Sequence, residues 1–230
     1  MARGAARAVP PGPPVMASLV ALVMTLSACG SPGYHYVKNS AEKTYFKVPA
    51  EWRKIDQKTL DASLSNEDPD SASARLRPKL TWSIAYDADP SPEPDHLYGL
   101  GSDKPFVYAV IRPLTSEERG AISLNQLRDT FLPVTAASRQ SLLEQGSPLT
   151  GFELLRDDEL KPGHGLRGVR TTYNYMLPTL PVLQTFDVTS YSSDEGRLYV
   201  LVIRCSAHCY QERRGELESV ARSFTVRKQS

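Results

Sequence analysis

The run Leu198-Tyr199-Val200-Leu201-Val202-Ile203 constrains the fold more than any other part of the chain. It is rich in β-branched and aromatic residues and has no polar face to offer water. A strand of this kind belongs in the middle of a sheet with a cover on each side. Val182 to Tyr191 precedes it as a second strand, and Ser192-Ser193-Asp194-Glu195-Gly196 between them reads as a hairpin turn. A helix from about Tyr210 to Ser223 supplies one cover, because Leu217, Val220, Ala221 and Phe224 fall on one stripe. A helical segment from Ser123 to Gln145 supplies the other. It opens on a Ser123/Gln126 capping box, places Leu124, Leu127 and Phe131 on one face, is interrupted at Pro133 and stops at Gly146. The fold class that follows is α+β, an antiparallel β-sheet sandwiched between helical layers.

Further strands are expected at Leu80 to Tyr86, Pro105 to Leu114, Phe152 to Leu160 and Leu166 to Leu177. The last two flank the turn Pro162-Gly163-His164-Gly165. In the second of them Val169, Thr171, Tyr173, Tyr175 and Leu177 alternate with polar residues, which predicts one buried face. Tyr45 to Val48 reads as a strand that Pro49 ends, turning into a second near Trp52 to Ile55. Asn66 to Ser73 reads as a loop. Asp87 to Lys104, rich in proline and glycine, reads as a long surface loop whose length asks for a functional explanation, with a plain insertion as the preferred reading. Its scarce apolar residues Leu97, Tyr98 and Leu100 are the expected anchors for a partner, and shortening it is expected to leave stability nearly unchanged.

The start of the chain reads as an export signal. Arg3 and Arg7 form a basic head without an acid, and Val15 to Leu26 is almost wholly apolar. At roughly 18 Å as a helix, this stretch is too short for a bilayer core of about 30 Å. Leu26-Ser27-Ala28-Cys29-Gly30 then matches a bacterial lipobox, which makes Cys29 the expected lipid attachment site. Two or three acyl chains there give stable anchoring. The organisation expected is a signal peptide over 1–28, a lipidated tether over 29–43 and a single domain over 44–230, at the outer face of the cell membrane. Without Arg3 and Arg7, 25 basic side chains stand against 26 acidic ones, a formal charge of −1. That balance suggests neither a nucleic-acid footprint nor a polybasic lipid clamp.

With Cys29 acylated, Cys205 and Cys209 remain as a pair in an oxidising compartment. The C-x3-C spacing suits a local disulfide at a strand end or helix start. Free thiols, or a metal held with His208, stay open as alternatives.

The chain has no G-x-S-x-G elbow, phosphate loop, dinucleotide fingerprint or H-E-x-x-H. His35, His96, His164 and His208 are read as solvated or capping residues. Asp157-Asp158-Glu159 is read as a solvated acidic run rather than a cation site, and Tyr173, Tyr175, Tyr191 and Tyr199 as packing rather than pocket residues. No catalytic residue, metal or cofactor is expected.

Tyr45-Phe46-x-Val48-Pro49-x-x-Trp52, the mid-chain helix, the hairpin and the closing Ser223-Phe224-Thr225-Val226 together resemble PsbP-like and Mog1-like domains, over about Lys43 to Val226. The pattern Arg204-Cys205-Ser206-x-x-Cys209-Tyr210 further resembles actinobacterial surface lipoproteins of that fold. Glu51 departs from the glycine that often precedes the tryptophan. The resemblance implies a non-catalytic scaffold for docking, assembly or stabilisation. The leading expectation is therefore a lipid-anchored interaction module that docks on another envelope protein. The alternatives are a carrier holding a small apolar or lipid-like ligand between sheet and helices, and a hydrolase.

Overall fold

The computed structural model describes residues 33–64, 71–178 and 180–227, together with Met1 and Gly4. The chain divides into two units, Met1–Ser31 and Pro32–Ser230. The signal peptide, Cys29 and most of the expected 66–73 loop lie outside the described residues.

Among the described residues, ten strands form two antiparallel sheets. The larger has seven strands in the order β3-β4-β5-β9-β8-β7-β6. These are β3 (Arg53–Ile55), β4 (Trp82–Asp87), β5 (Phe106–Pro113), β6 (Thr150–Gly163), β7 (Leu166–Met176), β8 (Gln184–Ser193) and β9 (Arg197–Ser206). The doubly apolar strand β9 sits at the centre, as its composition requires. The smaller sheet joins β1 (Tyr34–Asn39), β2 (Thr44–Pro49) and β10 (Thr225–Val226), with β2 in the middle.

Alternation along the strands divides the core in two. Tyr199, Leu201, Ile203 and Cys205 of β9, with Val107, Ala109 and Ile111 of β5, face the C-terminal helices and the small sheet. Those helices are α6 (Ala207–Glu212) and α7 (Arg214–Ser223). Leu198, Val200 and Val202, with Phe106 of β5, face the opposite layer. That layer holds α1 (Gln57–Leu64), α2 (Ala72–Leu80), α3 (Ser116–Ala121), α4 (Leu124–Arg128) and α5 (Ala136–Glu144). The α4 capping box forms as expected: Gln126 N donates to Ser123 Oγ at 3.2 Å, and Ser123 N to Gln126 Oε1 at 2.7 Å.

Four expectations are corrected. Tyr34–Asn39 is a strand rather than tether, because Val37 supplies an apolar contact to the core and its backbone pairs along all of β2. Tyr45 to Val48 and Trp52 to Ile55 do not form a hairpin. The Pro49–Trp52 turn (Trp52 N to Pro49 O, 3.1 Å) redirects the chain, and Arg53–Ile55 pairs with β4 in the other sheet. Helix α1 was not anticipated; Asp56 Oδ1 caps it by accepting from Thr59 N at 3.0 Å. Helix α2 occupies part of the stretch expected to be loop. Strand β7 is buried on both faces. Its polar side, Arg170, Thr172 and Asn174, is covered rather than solvated.

Candidate functional site

The two faces of the large sheet are covered differently. On the α7 side, the polar positions of β7 and β8 meet a charged cluster. Arg170 donates to both oxygens of Asp187, Nε to Oδ1 at 2.8 Å and Nη2 to Oδ2 at 2.6 Å. It also reaches Glu218 of α7 at 3.0 and 2.7 Å, and Tyr210 Oη donates to Asp187 Oδ2 at 2.7 Å. Burial alone would lower the Arg170 pKa, but the bonds to Asp187 and Glu218 overcome it and hold the guanidinium charged. Burial likewise raises Glu218, yet its bonds to Arg170, Arg222 and Arg156 outweigh this and bring it down to about 2. These groups are saturated by one another and close this face.

On the other side a cleft of about 800 Å³ opens between the sheet and the helical layer. Its floor is Tyr108, Val110, Leu198, Val200 and Val202 of β5 and β9. Its walls include Leu60 and Leu64 of α1, Leu76 and Leu80 of α2, Tyr98, and Phe131. The volume falls in the range of about 300–1,000 Å³ typical of small-molecule sites. The rim is apolar as well: Leu76 and Leu80 are 51% and 56% exposed. A lone exposed leucine means little, but several converging on one concavity mark a binding surface.

The polar groups of the cleft are few. Arg112 grips Glu118 bidentately, Nη1 to Oε2 and Nη2 to Oε1 both at 2.7 Å. The Arg112 bond, against an opposing effect of burial, holds Glu118 down to about 2. Glu118 also accepts from Thr115 N at 2.8 Å, completing a capping box on α3. Thr130 Oγ1 pairs with Ser190 Oγ at 2.6 Å. Burial pushes the Tyr108 phenol up to about 12, with Asp61 adding to the rise and Arg77 opposing it. Its hydroxyl is therefore neutral at physiological pH and able to donate a hydrogen bond. The site offers apolar contact and orientation, with Arg112 and Glu118 committed to one another and Asp61 and Arg77 as its other charged lining.

Residues 87–104 do not stand clear of the fold, and Leu97 and Tyr98 among them wall this cleft. Leu97 is 1% exposed, so it is core and not a partner anchor. Tyr98 and Leu100 are 40% and 39% exposed. The Tyr98 ring stacks on Phe131 with centroids 6.1 Å apart, which commits it to the cleft wall. His96 is buried, not solvated: its Nδ1 donates to Asp87 Oδ2 at 2.6 Å. Asp87 Oδ1 accepts from Asp89 N at 2.8 Å. From beneath, the fully buried Arg204 donates Nη2 to Ser102 O at 2.7 Å and Nη1 to Lys104 O at 3.2 Å. Burial lowers the Arg204 pKa to about 10, with Asp103 and Asp87 opposing the shift. Gly99 lies at φ +81, and a Cβ there would collide with the Arg204 guanidinium. The expectation that this segment could be shortened without loss of stability is therefore overturned, because buried side chains and a buried cation hold it down.

The remaining expected residues are accounted for. Cys205, at the end of β9, and Cys209, in the first turn of α6, form a disulfide with Cα atoms 5.9 Å apart. His208 is exposed and pairs with Glu212 at 3.2 Å instead of joining the cysteines. Among the described residues no three His, Cys, Asp or Glu side chains are placed to hold a metal ion. Asp157 and Glu159 pair with Arg128 at 2.9 and 3.8 Å, and Asp158 with Arg156 at 3.6 Å. The four tyrosines do not come together as one set, although the Tyr173 and Tyr175 rings pack edge to face with centroids 5.9 Å apart. Tyr173 and Tyr175 belong to the core on the cleft side of the sheet, whereas Tyr191 and Tyr199 belong to the α7 side. Of the groups that shape the cleft, Thr115-x-x-Glu118 has the spacing of a second capping box, a signal left unread in the sequence. The exposed leucines of α2 carried no sequence signal.

No family model matches the chain, and no curated protein matches it either. Among solved structures, it is similar to cyanobacterial PsbP (CyanoP) from Synechocystis sp. PCC 6803, at TM-score 0.51 and 10% identity over 89% of this chain and 99% of that one. The Pseudomonas aeruginosa protein PA94 aligns at TM-score 0.41 and 10% identity, covering 86% of this chain and 100% of that one. LpqN, involved in cell envelope biogenesis of Mycobacterium tuberculosis, aligns at 0.42 and 13%, covering 84% and 90%. Seven antiparallel strands between a C-terminal helical layer and a mid-chain one, in the arrangement shared with CyanoP, make this a PsbP-like fold.

Proposed function

We propose that the protein is a lipid-anchored, extracytoplasmic interaction module without catalytic function, and that what it holds is a small apolar or lipid-like ligand in the cleft between the large sheet and helices α1–α3. The cleft supports the reading: about 800 Å³, with an apolar floor and leucines of α1 and α2 along its walls, Leu76 and Leu80 exposed at its mouth, and its charged lining confined to Asp61, Arg77, Arg112 and Glu118. Burying apolar surface is worth about 25 cal/mol per Å², so an alkyl chain gains most along the apolar floor and the leucines of α1 and α2. The acids and bases of the site serve structure: Glu118 caps α3 and holds Arg112. The Leu26–Cys29 motif supports placement on the outer face of the cell membrane, where ligands of that chemistry are at hand. Docking on another envelope protein, expected first from sequence, loses its favoured loop once Leu97 is core.

The test is displacement of a fluorescent long-chain fatty acid from the purified protein. Saturable binding should be lost by at least tenfold in Val110→Phe, which fills the floor of the cleft, while the melting temperature holds. Equal binding by both proteins would contradict the proposal.

A further inference from the structure

The small sheet has an outer face that the fold does not use. Its register puts Tyr36 opposite Lys47 and Lys38 opposite Tyr45, with Tyr34 on the same side. The alternate positions, Val37, Phe46 and Val48, are buried in the core. The outward set is thus three tyrosines and two lysines with Pro49 and Thr225 beside them, and no acid among them. Tyr36 is 62% exposed and stacks on Tyr45 with centroids 6.2 Å apart. The Lys47 ammonium lies 4.1 Å from the centre of the Tyr34 ring. Glu42, in the connecting turn, is held by Arg197 at 3.0 Å.

We infer that this face is a membrane-docking surface that lies on the anionic headgroups of the bilayer. The inference rests on the reading of Cys29 as the lipid attachment site. Two observations choose the bilayer as its occupant. Tyr34 follows Cys29 by five residues, and so short a chain spans no more than about 18 Å even fully extended. The strand edge is therefore confined to the neighbourhood of the lipid, whatever path the linking residues take. The chemistry also fits: tyrosine places its ring at the level of the headgroups, with the hydroxyl in water. Lysine beside it is drawn to anionic lipid phosphates within about a Debye length. The near-neutral total charge conceals this face because acids elsewhere on the chain cancel its lysines.

The test uses the mature lipoprotein carrying Tyr36→Trp, reconstituted into phosphatidylcholine vesicles with and without phosphatidylglycerol. Flotation and the mass of the Cys29 peptide report the anchor, and quenching of the introduced indole by brominated lipid reports the face. Wild-type protein, with Trp52 buried and Trp82 half-buried in the fold, gives the background. The inference requires the introduced indole to be quenched more strongly when phosphatidylglycerol is present. It also requires Lys38→Glu with Lys47→Glu to weaken the effect, by about fivefold for each lysine removed. A protein that floats, carries lipid on Cys29 and leaves that indole unquenched overturns the inference while the anchor stands. A Cys29 peptide without lipid overturns both.

Discussion

Ala109 and Val110 are neighbours on β5 and point to opposite sides of the same sheet. Ala109 faces Ile203, Leu217 and the rest of a closed core. Val110 faces the cleft. On the closed side, β5 and β9 meet α7 through apolar contacts, and β7 and β8 meet it through the Arg170–Asp187–Glu218–Tyr210 cluster. On the open side, a cleft remains between β5, β9 and the helices α1 and α2, and exposed leucines remain at its mouth. A fold that had only to be stable would gain by closing both sides. Our proposal accordingly puts function on the side left open.

The largest effect is expected from Asp187→Ala. It strands the buried Arg170 and removes the acceptor of Tyr210, and breaking a buried pair from one side costs about 3–5 kcal/mol. Denaturant titration measures it, and a loss below about 1 kcal/mol, the size of an exposed pair, would show the cluster to be incidental. Gly99→Ala should follow at more than about 2 kcal/mol by the same measurement, since left-handed backbone costs a residue other than glycine about 1–2 kcal/mol and the collision with Arg204 adds to it. An unchanged midpoint would mean that residues 87–104 are not pinned. Enlarging the two β5 neighbours sharpens the comparison most. Ala109→Leu should cost about 1–3 kcal/mol by overpacking, whereas Val110→Phe should stay within about 1 kcal/mol of wild type. Equal penalties would mean that the two sides are packed alike.

Acidification probes the closed side more gently. Glu218 is held at about 2 in the fold, against an ordinary 4.5. Its contribution is fully present above pH 4.5 and is lost as pH falls from there towards 2. Glu218→Gln should flatten that acid arm and lower the plateau at neutral pH by a comparable amount, because the contribution it removes is fully present there. An acid arm as steep as wild type would assign the loss to other carboxylates.

What the sequence made legible follows from period and from local chemistry. Leu198–Ile203 has no polar face, and this one fact centres β9 and calls for two covers. Ser123 and Gln126 mark a helix start through bonds made within four residues. Cys205 and Cys209 lie close enough along the chain to be paired from spacing. What was missed depends on partners distant in sequence. Tyr34–Asn39 reads as tether because its strand character comes from pairing with β2 and from a single core residue, Val37. Pro49 gives a turn but not its direction, so β2 and β3 were joined although they belong to different sheets. Leu97 and His96 look like loop residues until Arg204, about a hundred positions away, is seen to hold the segment down. The cleft is the extreme case. Its floor and walls come from β5, β9 and the helical layer, and a void left between elements has no signature in any one of them.

The most direct test is native mass spectrometry of the mature protein extracted from its own membranes, comparing wild type with Val110→Phe. Covalent lipid on Cys29 survives denaturation, so a ligand in the cleft is the added mass that denaturation removes. The expected result is such a mass on wild type and none on Val110→Phe. An identical pattern for the two proteins, with or without added mass, would contradict the assignment of the cleft as the binding site.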